Sequence, residues 1–274
     1  MQHEISAVGA MSGSNRIFVD AITKYCAGHG IACEVKSQGW LIVMARDGKR
    51  RFALGYDLGL NSAISHRIAS DKAATSDILA MSGIPCIVHT QFSNPVLADY
   101  APASGLREAM LDLLRSRPQG IVVKPNEGTS GRLVFKVTNE AELDEAARDI
   151  FALHLSLAIS PYVEIAQEVR VVLIDDVPLA VYEKQRGADW RHNLDLGARP
   201  LLLPPGATRD TCVALAISAA QAIGIRFASI DVVRAANKWK VLEINSGVMM
   251  ETLGRHHPEE VTAAYTAALD KVFE

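Results

Sequence analysis

The sequence predicts an α+β protein, in which a small N-terminal α/β lobe precedes two α+β lobes. Helical and strand-like segments are mixed along the chain, and several strand-like segments occur in pairs around a turn signal. The 49% hydrophobic content suffices for a sizeable core. We divide the 274 residues at 1–84, 85–163 and 164–274, which correspond to an N-terminal lobe with a connecting helix, a central lobe and a C-terminal lobe.

The N-terminal lobe is expected to open with a strand and a helix. Ile5–Ala10 has strand character, and Ile17–His29 repeats its apolar residues at helical spacing. Asp47-Gly48 is a hairpin signal between the last two of three further strands. Those strands are expected at Ile31–Val35, Trp40–Ala45 and Arg51–Leu54.

A connecting helix leads into the central lobe. Ser70-Asp71 is a favourable N-cap pair for a helix over Lys72–Met81, and Gly83 is placed to end it. The segments expected after it are a strand at Cys86–Thr90, a helix near Leu106–Arg115, strands at Ile121–Lys124 and Leu133–Val137, a helix over Glu140–Leu157 and a short strand at Ser160–Val163.

The C-terminal lobe is expected to contain two strand pairs and two helices. Asp175-Asp176 and the segment 235–238 are the turn signals within the pairs, and an alanine-rich run indicates a buried helix. The strands are expected at Glu168–Leu173, Val177–Glu183, Phe227–Val233 and Trp239–Ile244, and the helices at Thr208–Ile223 and Pro258–Phe273.

Composition limits the class of protein and of partner. A net charge of −3 provides no basic field, so a nucleic acid is not a predicted partner. The four cysteines lack C-x-x-C spacing, and no apolar run approaches the ~20 residues of a membrane helix. The N-terminus also lacks the features of a signal peptide. We therefore expect a cytoplasmic protein with no membrane partner, and a homo-oligomer is compatible with the sequence.

The most informative segment carries a lysine from a strand into a glycine-bearing loop. Lys124 and Pro125 end an apolar strand, and residues 127–131 follow with two glycines and small hydroxyl side chains. Backbone N–H groups of such a loop can bind an anion, and the lysine supplies a positive charge. The order differs from a P-loop, in which the lysine follows the glycines. From these residues alone, a phosphate-binding loop and an ordinary hairpin remain equally good interpretations.

A second feature is a group of acidic and amide side chains near the C-terminal end. If the two strands around residues 235–238 pair, Asp231, Glu243 and Asn245 converge, and they are oxygen ligands of the kind that Mg²⁺ prefers. Two uncompensated carboxylates among apolar neighbours would cost several kcal/mol each, so a cation or basic side chains must be near. The alternative is a solvated edge on which these acids pair with Arg234, Lys238 or Lys240.

In their order along the chain, these motifs resemble the ATP-grasp superfamily, from about Ser70 to about Met250. The resemblance implies an ATP-grasp fold, with two lobes that clamp ATP, and a divalent cation, Mg²⁺ or Mn²⁺. It also implies roles for individual positions. These are phosphate contacts for Lys72 and Lys124, a lid made of Glu127, Gly128, Thr129, Ser130 and Gly131, an adenine hinge at Pro161, Tyr162 and Val163, a ribose contact for Glu168, and metal ligation by Asp231, Glu243 and Asn245.

Within the superfamily, the chain is most similar to the branch of the ribosomal-protein glutamate ligase, the lysine-biosynthesis carrier-protein ligases and glutathione synthetase. The likeness rests on Glu127-Gly128-Thr129 and on Arg191-His192-Asn193-Leu194, which resembles an R-x-N-L signature. Leu133 stands where glycine is common, and residues 246–250 replace the usual small-residue and proline segment.

The resemblance implies an ATP-dependent ligase that joins a carboxylate substrate to an amine acceptor, either an amino acid or a peptide, through an acyl phosphate. Arg191 and Arg170 are candidates for binding the carboxylate, with Lys184 and Asn193 in the same cleft. Either arginine can instead form a surface ion pair. The alternatives are a non-catalytic ATP-binding regulatory protein of the same fold and a ligase with a non-amine acceptor.

Overall fold

The computed structural model describes residues 16–97, 104–128, 131–187, 190–191, 194 and 197–274. In these residues the strands form antiparallel sheets of three, four and five strands. Helices pack against the sheets, which agrees with the α+β prediction. The strand predicted at Ile5–Ala10 lies outside the described residues. No helix in the described ranges combines the length and the apolarity needed to cross a bilayer.

The three-stranded sheet belongs to the N-terminal part of the chain. Helix α1 (Ile17–Gly28) precedes strands β1 (Ala32–Lys36), β2 (Leu41–Arg46) and β3 (Lys49–Leu54), which lie in the order β1-β2-β3. Asp47 and Gly48 have φ angles of 53° and 74°, as a tight hairpin turn between β2 and β3 requires. The predicted helix and strands of this lobe lie within one to two residues of their predicted bounds.

The last two helices complete the core of this first lobe. α7 (Glu251–His256) and α8 (Pro258–Phe273) pack against α1, and their apolar residues share one core with it. The Glu251 carboxylate accepts a hydrogen bond of 2.7 Å from the backbone N–H of Ile17 and one of 3.1 Å from the Tyr56 hydroxyl. Glu251 thereby caps α1 from a distant part of the chain.

The four-stranded sheet forms the central lobe. Helices α2 (Ala63–Ser70) and α3 (Lys72–Met81) lead into it, and α3 lies where the sequence predicts it. Ser62 and Asp71 cap the two helices. The sheet has the order β4-β7-β5-β6, and one face packs on two helices. Its elements are β4 (Thr90–Ser93), α4 (Leu106–Arg115), β5 (Ile121–Pro125), β6 (Phe135–Val137), α5 (Glu140–Phe151) and β7 (Ser156–Pro161).

Two predictions for this lobe were wrong in their bounds. The helix predicted over Glu140–Leu157 ends at Phe151, and the apolar run that follows is strand β7. β7 lies between β4 and β5, so the hydrogen bonds of its neighbours hold Ser156 and Leu157 extended, although both residues continue the helical periodicity. The strand predicted at Cys86–Thr90 begins only at Thr90, because Cys86 instead forms an isolated parallel bridge to Val241.

The five-stranded sheet forms the C-terminal lobe, in the order β10-β9-β8-β11-β12. Helix α6 packs against one of its faces through buried alanines and Cys212. The sequence did not predict the edge strand β10, whose four residues carry little pattern. The elements are β8 (Ile165–Ile174), β9 (Val177–Gln185), β10 (Arg199–Leu202), α6 (Ala207–Ile223), β11 (Phe227–Ala235) and β12 (Lys238–Asn245).

Gly120, at the start of β5, has a conformation that other residues would not tolerate. Its φ is +89°, and a Cβ atom there would lie 2.5 Å from the carbonyl oxygen of Val137. We expect Gly120→Ala to lower the free energy of unfolding by about 2–4 kcal/mol, which urea denaturation would measure. Gly83→Ala is the matched control, since its φ is +69° but the space around it is open. Equal losses in the two variants would contradict the steric argument.

Candidate active site

Polar side chains gather on the face of the five-stranded sheet opposite α6. Asp231 on β11 is the cross-strand partner of Arg170 on β8 and of Glu243 on β12. Cross-strand partners project to the same face of a sheet, as do residues two apart on one strand. Glu168 and Asn245 therefore join this face, and the predicted convergence of the acidic residues is present in the structure.

The acidic residues are held by buried basic side chains. Arg170 donates two hydrogen bonds of 2.7 Å to the Asp231 carboxylate, one to each oxygen. The Lys184 ammonium donates to Asp231 at 2.7 Å and to Glu168 at 2.6 Å. Asp231 is fully buried, and Lys184 and Glu168 are each 5% exposed. These four residues form one ion network below the floor of the cleft.

The network determines the protonation of Asp231. Burial alone would raise the pKa of this carboxyl group, but the charges of Arg170 and Lys184 outweigh it and hold the pKa well below its usual range. For Lys184, burial and the nearby Arg170 lower the pKa, while Asp231 and Glu168 raise it above its ordinary value. Asp231, Arg170 and Lys184 are therefore charged at neutral pH. Arg170 and Lys184, predicted as catalytic residues, donate hydrogen bonds to Asp231, and Lys184 also donates one to Glu168.

Glu243 and Asn245 line the cleft beside the network. The Asn245 amide donates a hydrogen bond of 3.4 Å to the Glu243 carboxylate. Both side chains are half-buried, whereas Asp231 is enclosed. Within the described ranges, no three His, Cys, Asp or Glu side chains group together as a metal site. A metal ion at this point would therefore depend on the Asn245 amide oxygen and on oxygens of a ligand.

Lys72 begins helix α3 and reaches the predicted lid. Its ammonium donates hydrogen bonds to the carbonyl oxygens of Gly128 at 3.0 Å and of Asn126 at 3.3 Å. Burial lowers the pKa of Lys72, and the charges of Glu243, Asp71 and Glu127 oppose this shift, with Glu243 having the largest effect. An isolated antiparallel β-bridge between Asp71 and Glu127 also joins the start of α3 to this loop. The first predicted phosphate lysine is thus anchored against the loop that begins after β5.

Lys124 projects from β5 into the same cleft and is 7% exposed. Among the residues that the structure describes, none accepts a hydrogen bond from its ammonium group. Burial, with repulsion from Lys72, lowers the pKa of Lys124 to about 8, and Glu243, Glu168 and Asp231 oppose that shift. Since these acids lie on the other sheet, Lys124 and the ion network face each other across the cleft.

The pKa of Lys124 predicts how nucleotide affinity depends on pH. We expect the dissociation constant for Mg·ATP to rise above pH 8, by up to about tenfold per pH unit, as the unliganded ammonium loses its proton. Fluorescence titration between pH 7 and pH 10 would measure it. Lys124→Arg is the control, because a guanidinium stays charged in this range. The same steep rise in that variant would assign the pH dependence to another group.

The lowered pKa of Lys124 also affects stability. Between pH 8 and the ordinary lysine pKa of 10.5, the unfolded chain binds a proton at this residue that the folded chain does not. The contribution of Lys124 to the free energy of unfolding therefore rises with pH across that window. Nucleotide affinity and stability should consequently change in opposite directions there.

Two further polar residues near these lysines were not predicted from the sequence. His89 is 2% exposed, and among the described residues neither ring nitrogen has a partner in hydrogen-bonding geometry. Burial, Lys124 and Lys72 together hold the pKa of His89 well below its ordinary value, so the ring is neutral. Asn126 is fully buried, and its amide nitrogen is likewise unpartnered. Neither His89 nor Asn126 belongs to a sequence motif that indicates a particular chemistry. Their position near the lysines is therefore evident only from the tertiary structure.

The predicted hinge residues lie at the end of β7. Pro161 is the last residue of that strand, and the backbone N–H of Tyr162 donates to the carbonyl oxygen of Gly120 at 3.1 Å. Lys136 lies 3.5 Å from the centre of the Tyr162 ring. Val163 follows in the connection to β8. Glu168, predicted to contact a ribose, lies further along the chain in the buried ion network.

The lid is described only in part. Glu127, Gly128 and Gly131 are within the described residues, whereas Thr129, Ser130 and Asn193 lie outside them. Arg191 donates a weak hydrogen bond of 3.4 Å to the carbonyl oxygen of Gly131, which places Arg191 beside the end of the lid. Leu133 has a φ of +53°, in the left-handed region that favours glycine.

A cavity of about 250 Å³ opens beside these groups, between helices α2 and α3 and the edge of β12. Lys72, Gly128, Glu243 and Asn245 line it, and so do Ser246 and Gly247 from the segment that follows β12. The cleft therefore continues beyond the predicted phosphate and metal residues.

Comparison with known proteins agrees with this arrangement. Residues 69–267 match the sequence profile of the RimK-like ATP-grasp domain. The chain is similar to a protein named probable alpha-L-glutamate ligase from Legionella pneumophila, with 24% identity over 195 residues, which are 70% of this chain and 60% of that protein. A protein of the same name from Serratia proteamaculans is 27% identical over 212 residues, which are 74% of this chain and 64% of that protein.

The fold is also similar to that of a solved structure. D-alanine–D-alanine ligase from Bacillus anthracis, complexed with ATP, has a TM-score of 0.59 and 19% sequence identity, and covers 78% of this chain and 67% of that one. The two curated relatives are matched over less than two thirds of their own length.

Proposed function

Because this chain belongs to the RimK-like ATP-grasp domain family, we propose that it is an ATP-dependent ligase that joins a carboxylate to an amine. The supporting observation is the pair of lysines, half-buried Lys72 and buried Lys124, facing the acidic cluster of Asp231 and Glu243 across one cleft. Carboxylate and ATP are both anions and repel each other, so their reaction requires fixed positive charge. The lysines supply part of it, and the acidic cluster can bind a cation that supplies the rest.

The residues of the central lobe would bind the nucleotide. Lys72 and Lys124 neutralise its phosphates, and the backbone of Gly128 and of the rest of the lid covers them. The backbone around Tyr162 contacts the adenine, and Glu168, held by Lys184, lies near the ribose. Burial of Lys124 strengthens its electrostatic interaction with phosphate because little water competes.

The acidic cluster fits a divalent cation. Asp231 and Glu243 are cross-strand partners, Asn245 is on the same face, and their oxygens are hard donors. Glu243 and Asn245 are the more available ligands, since both Asp231 oxygens already accept bonds from Arg170. Bound Mg²⁺ or Mn²⁺ would supply positive charge at the phosphoryl oxygens.

Arg191 would bind the substrate carboxylate. It lies beside the lid, and a guanidinium binds planar oxyanions with two parallel hydrogen bonds. Arg170 and Lys184 hold Asp231 and Glu168 in the floor of the cleft, which fixes the charges near the reacting groups. The activated species would be an acyl phosphate, which the amine attacks with release of phosphate.

One observation favours the alternative of a non-catalytic ATP-binding protein. Asp231 is enclosed by ion pairs with Arg170 and Lys184. A protein that only binds ATP has no need to break these ion pairs. Only the Glu243 side of the cluster is then available to a cation.

A screen for amine-dependent ADP release distinguishes the two functions. Pairs of amino acids and short peptides would be offered as carboxylate and amine with Mg·ATP, and products would be identified by mass spectrometry. Hydroxylamine in place of the amine would trap an acyl phosphate as a hydroxamate. A ligase gives ADP together with an amide product or hydroxamate. Tight Mg·ATP binding without ADP from any pair would establish the binding protein instead.

A further inference from the structure

The four-stranded sheet of the central lobe has an apolar face and a polar face. Val123 of β5 packs on helices α4 and α5. Because side chains alternate along a strand, Lys124 projects to the opposite face, and Asn126 follows it two residues later. Lys124 pairs with Ala158 of β7, which in turn pairs with Gln91 of β4. This opposite face borders the cleft.

His89 lies at the edge of the same face, one residue before β4. It is two residues before Gln91, so the alternation of the strand places it on the side of Lys124. The charges of Lys124 and Lys72 both act on its ring, which agrees with this position. The Ser76 hydroxyl accepts a hydrogen bond of 3.0 Å from the His89 backbone N–H. His89 is thereby tied to α3, the helix that begins with Lys72.

Three polar groups on this face have no hydrogen-bond acceptor among the described residues. They are the Lys124 ammonium, the Asn126 amide nitrogen and the His89 imidazole, and each of the three residues is less than 10% exposed. The Asn126 side-chain oxygen accepts a hydrogen bond of 3.1 Å from the N–H of Ala73, so only its NH₂ group is left to bind something else. A buried donor without an acceptor costs its full desolvation free energy.

These groups require a ligand that is negatively charged and rich in acceptors. Lys124 is a buried positive charge, and a neutral imidazole adds an N–H donor without a third positive charge beside Lys124 and Lys72. A phosphoryl group carries negative charge and has several oxygens, so it can accept hydrogen bonds from a lysine, an amide and an imidazole at the same time.

We propose that His89 is a phosphate-binding residue, whose imidazole donates an N–H to the nucleotide phosphate that Lys124 binds. Asn126 is the neighbouring donor on the same face. This inference rests on nucleotide binding in the proposed function and not on ligation. It implies that the unliganded site keeps unsatisfied polar groups, which the nucleotide then satisfies.

Replacing His89 by leucine should change stability and affinity in opposite directions. Leucine is similar in size and has no polar atoms in its side chain, so the unliganded variant should have a higher urea midpoint than the wild type. Its dissociation constant for a non-hydrolysable Mg·ATP analogue should rise about tenfold or more, measured by calorimetry at pH 7. An unchanged dissociation constant would overturn the inference, whatever the urea midpoint.

Adenosine separates a lost phosphate contact from a distorted lobe, because it lacks phosphate. Its affinity should be the same in His89→Leu and wild type, and an equal loss for adenosine and for the Mg·ATP analogue would overturn the inference. His89→Gln keeps an N–H donor and should recover part of the affinity for the analogue. His29→Leu is the control for the substitution itself, since His29 stacks on Tyr25 at the end of α1, and it should bind like the wild type.

Nuclear magnetic resonance tests the inference in the wild-type chain, independently of how the variants fold. The chain has eight histidines, and the ring signals of His89 in ¹⁵N-histidine-labelled protein are those that His89→Gln removes. The Mg·ATP analogue should shift one ring nitrogen of His89 while the ring stays neutral, and adenosine should not. Signals that do not respond to the analogue would refute the contact. None of these measurements requires turnover, so the absence of ADP and product in the screen would refute ligation alone.

Discussion

Replacing Asp231 by asparagine should lower the free energy of unfolding by about 3–5 kcal/mol, because it leaves the buried charges of Arg170 and Lys184 without their main counter-ion. Asparagine retains one acceptor oxygen, but its amide group would present N–H donors to the guanidinium. Urea denaturation at pH 7, followed by circular dichroism, would measure the loss. A change below about 1 kcal/mol would mean that the network is hydrated and not buried.

The double variant Asp231→Asn, Arg170→Met is the control for this mechanism, because Arg170 pairs with Asp231 and does not, like Lys184, also bind Glu168. Removing a cation together with the anion should restore part of the lost stability, and the double-mutant cycle gives the coupling between the two side chains. The difference between wild type and Asp231→Asn should also depend on pH. Since the folded-state pKa of Asp231 is depressed, its contribution is complete above about pH 4 and declines only in stronger acid.

Replacing Glu243 by glutamine should lower kcat/KM by a factor on the order of 10²–10³ and leave stability within about 0.5 kcal/mol. Glu243 is half-buried and contributes negative charge to the cleft, without being the counter-ion of a buried network as Asp231 is. Initial rates at several Mg²⁺ concentrations would separate weaker metal binding, which excess Mg²⁺ overcomes, from a lower rate at saturation. If wild-type activity persisted at low Mg²⁺ concentration, Glu243 would not be a metal ligand.

Glu183→Gln is the matched control for Glu243→Gln. Glu183 lies on β9 of the same sheet and is also half-buried, but its side chain accepts a hydrogen bond from Gln167 on the face opposite the cleft. This variant removes one carboxylate from the same sheet without touching the proposed site. We expect full activity and an unchanged dependence on Mg²⁺.

Much of the cleft could be predicted because its residues are placed by strand pairing. Once β11 and β12 are joined by a short turn, the period-two alternation brings Asp231, Glu243 and Asn245 to one face. Because carboxylates among apolar neighbours need a compensating positive charge, the sequence alone predicted a cation or basic side chains near these acids. Arg170 and Lys184 are those basic side chains, and their strands bring them to the same face.

Features that depend on tertiary contacts could not be predicted. Ser156 and Leu157 continue the periodicity of the helix before them, and only pairing with β4 and β5 makes them part of a strand. The burial of His89 follows from tertiary packing, in which the Ser76 hydroxyl of α3 accepts a hydrogen bond from the His89 backbone N–H. The cavity between α3 and β12 likewise results from the distance between two elements far apart in sequence.

The capping of α1 by Glu251 has a consequence for how the chain is made. During synthesis, Ile17 and Phe18 emerge long before the carboxylate that accepts hydrogen bonds from their N–H groups. α1 and its sheet must therefore wait for residues 251–273 before their core is closed, whereas the central lobe contains all its own strands and can fold earlier. α1 is thus synthesised before the central lobe but completed after it.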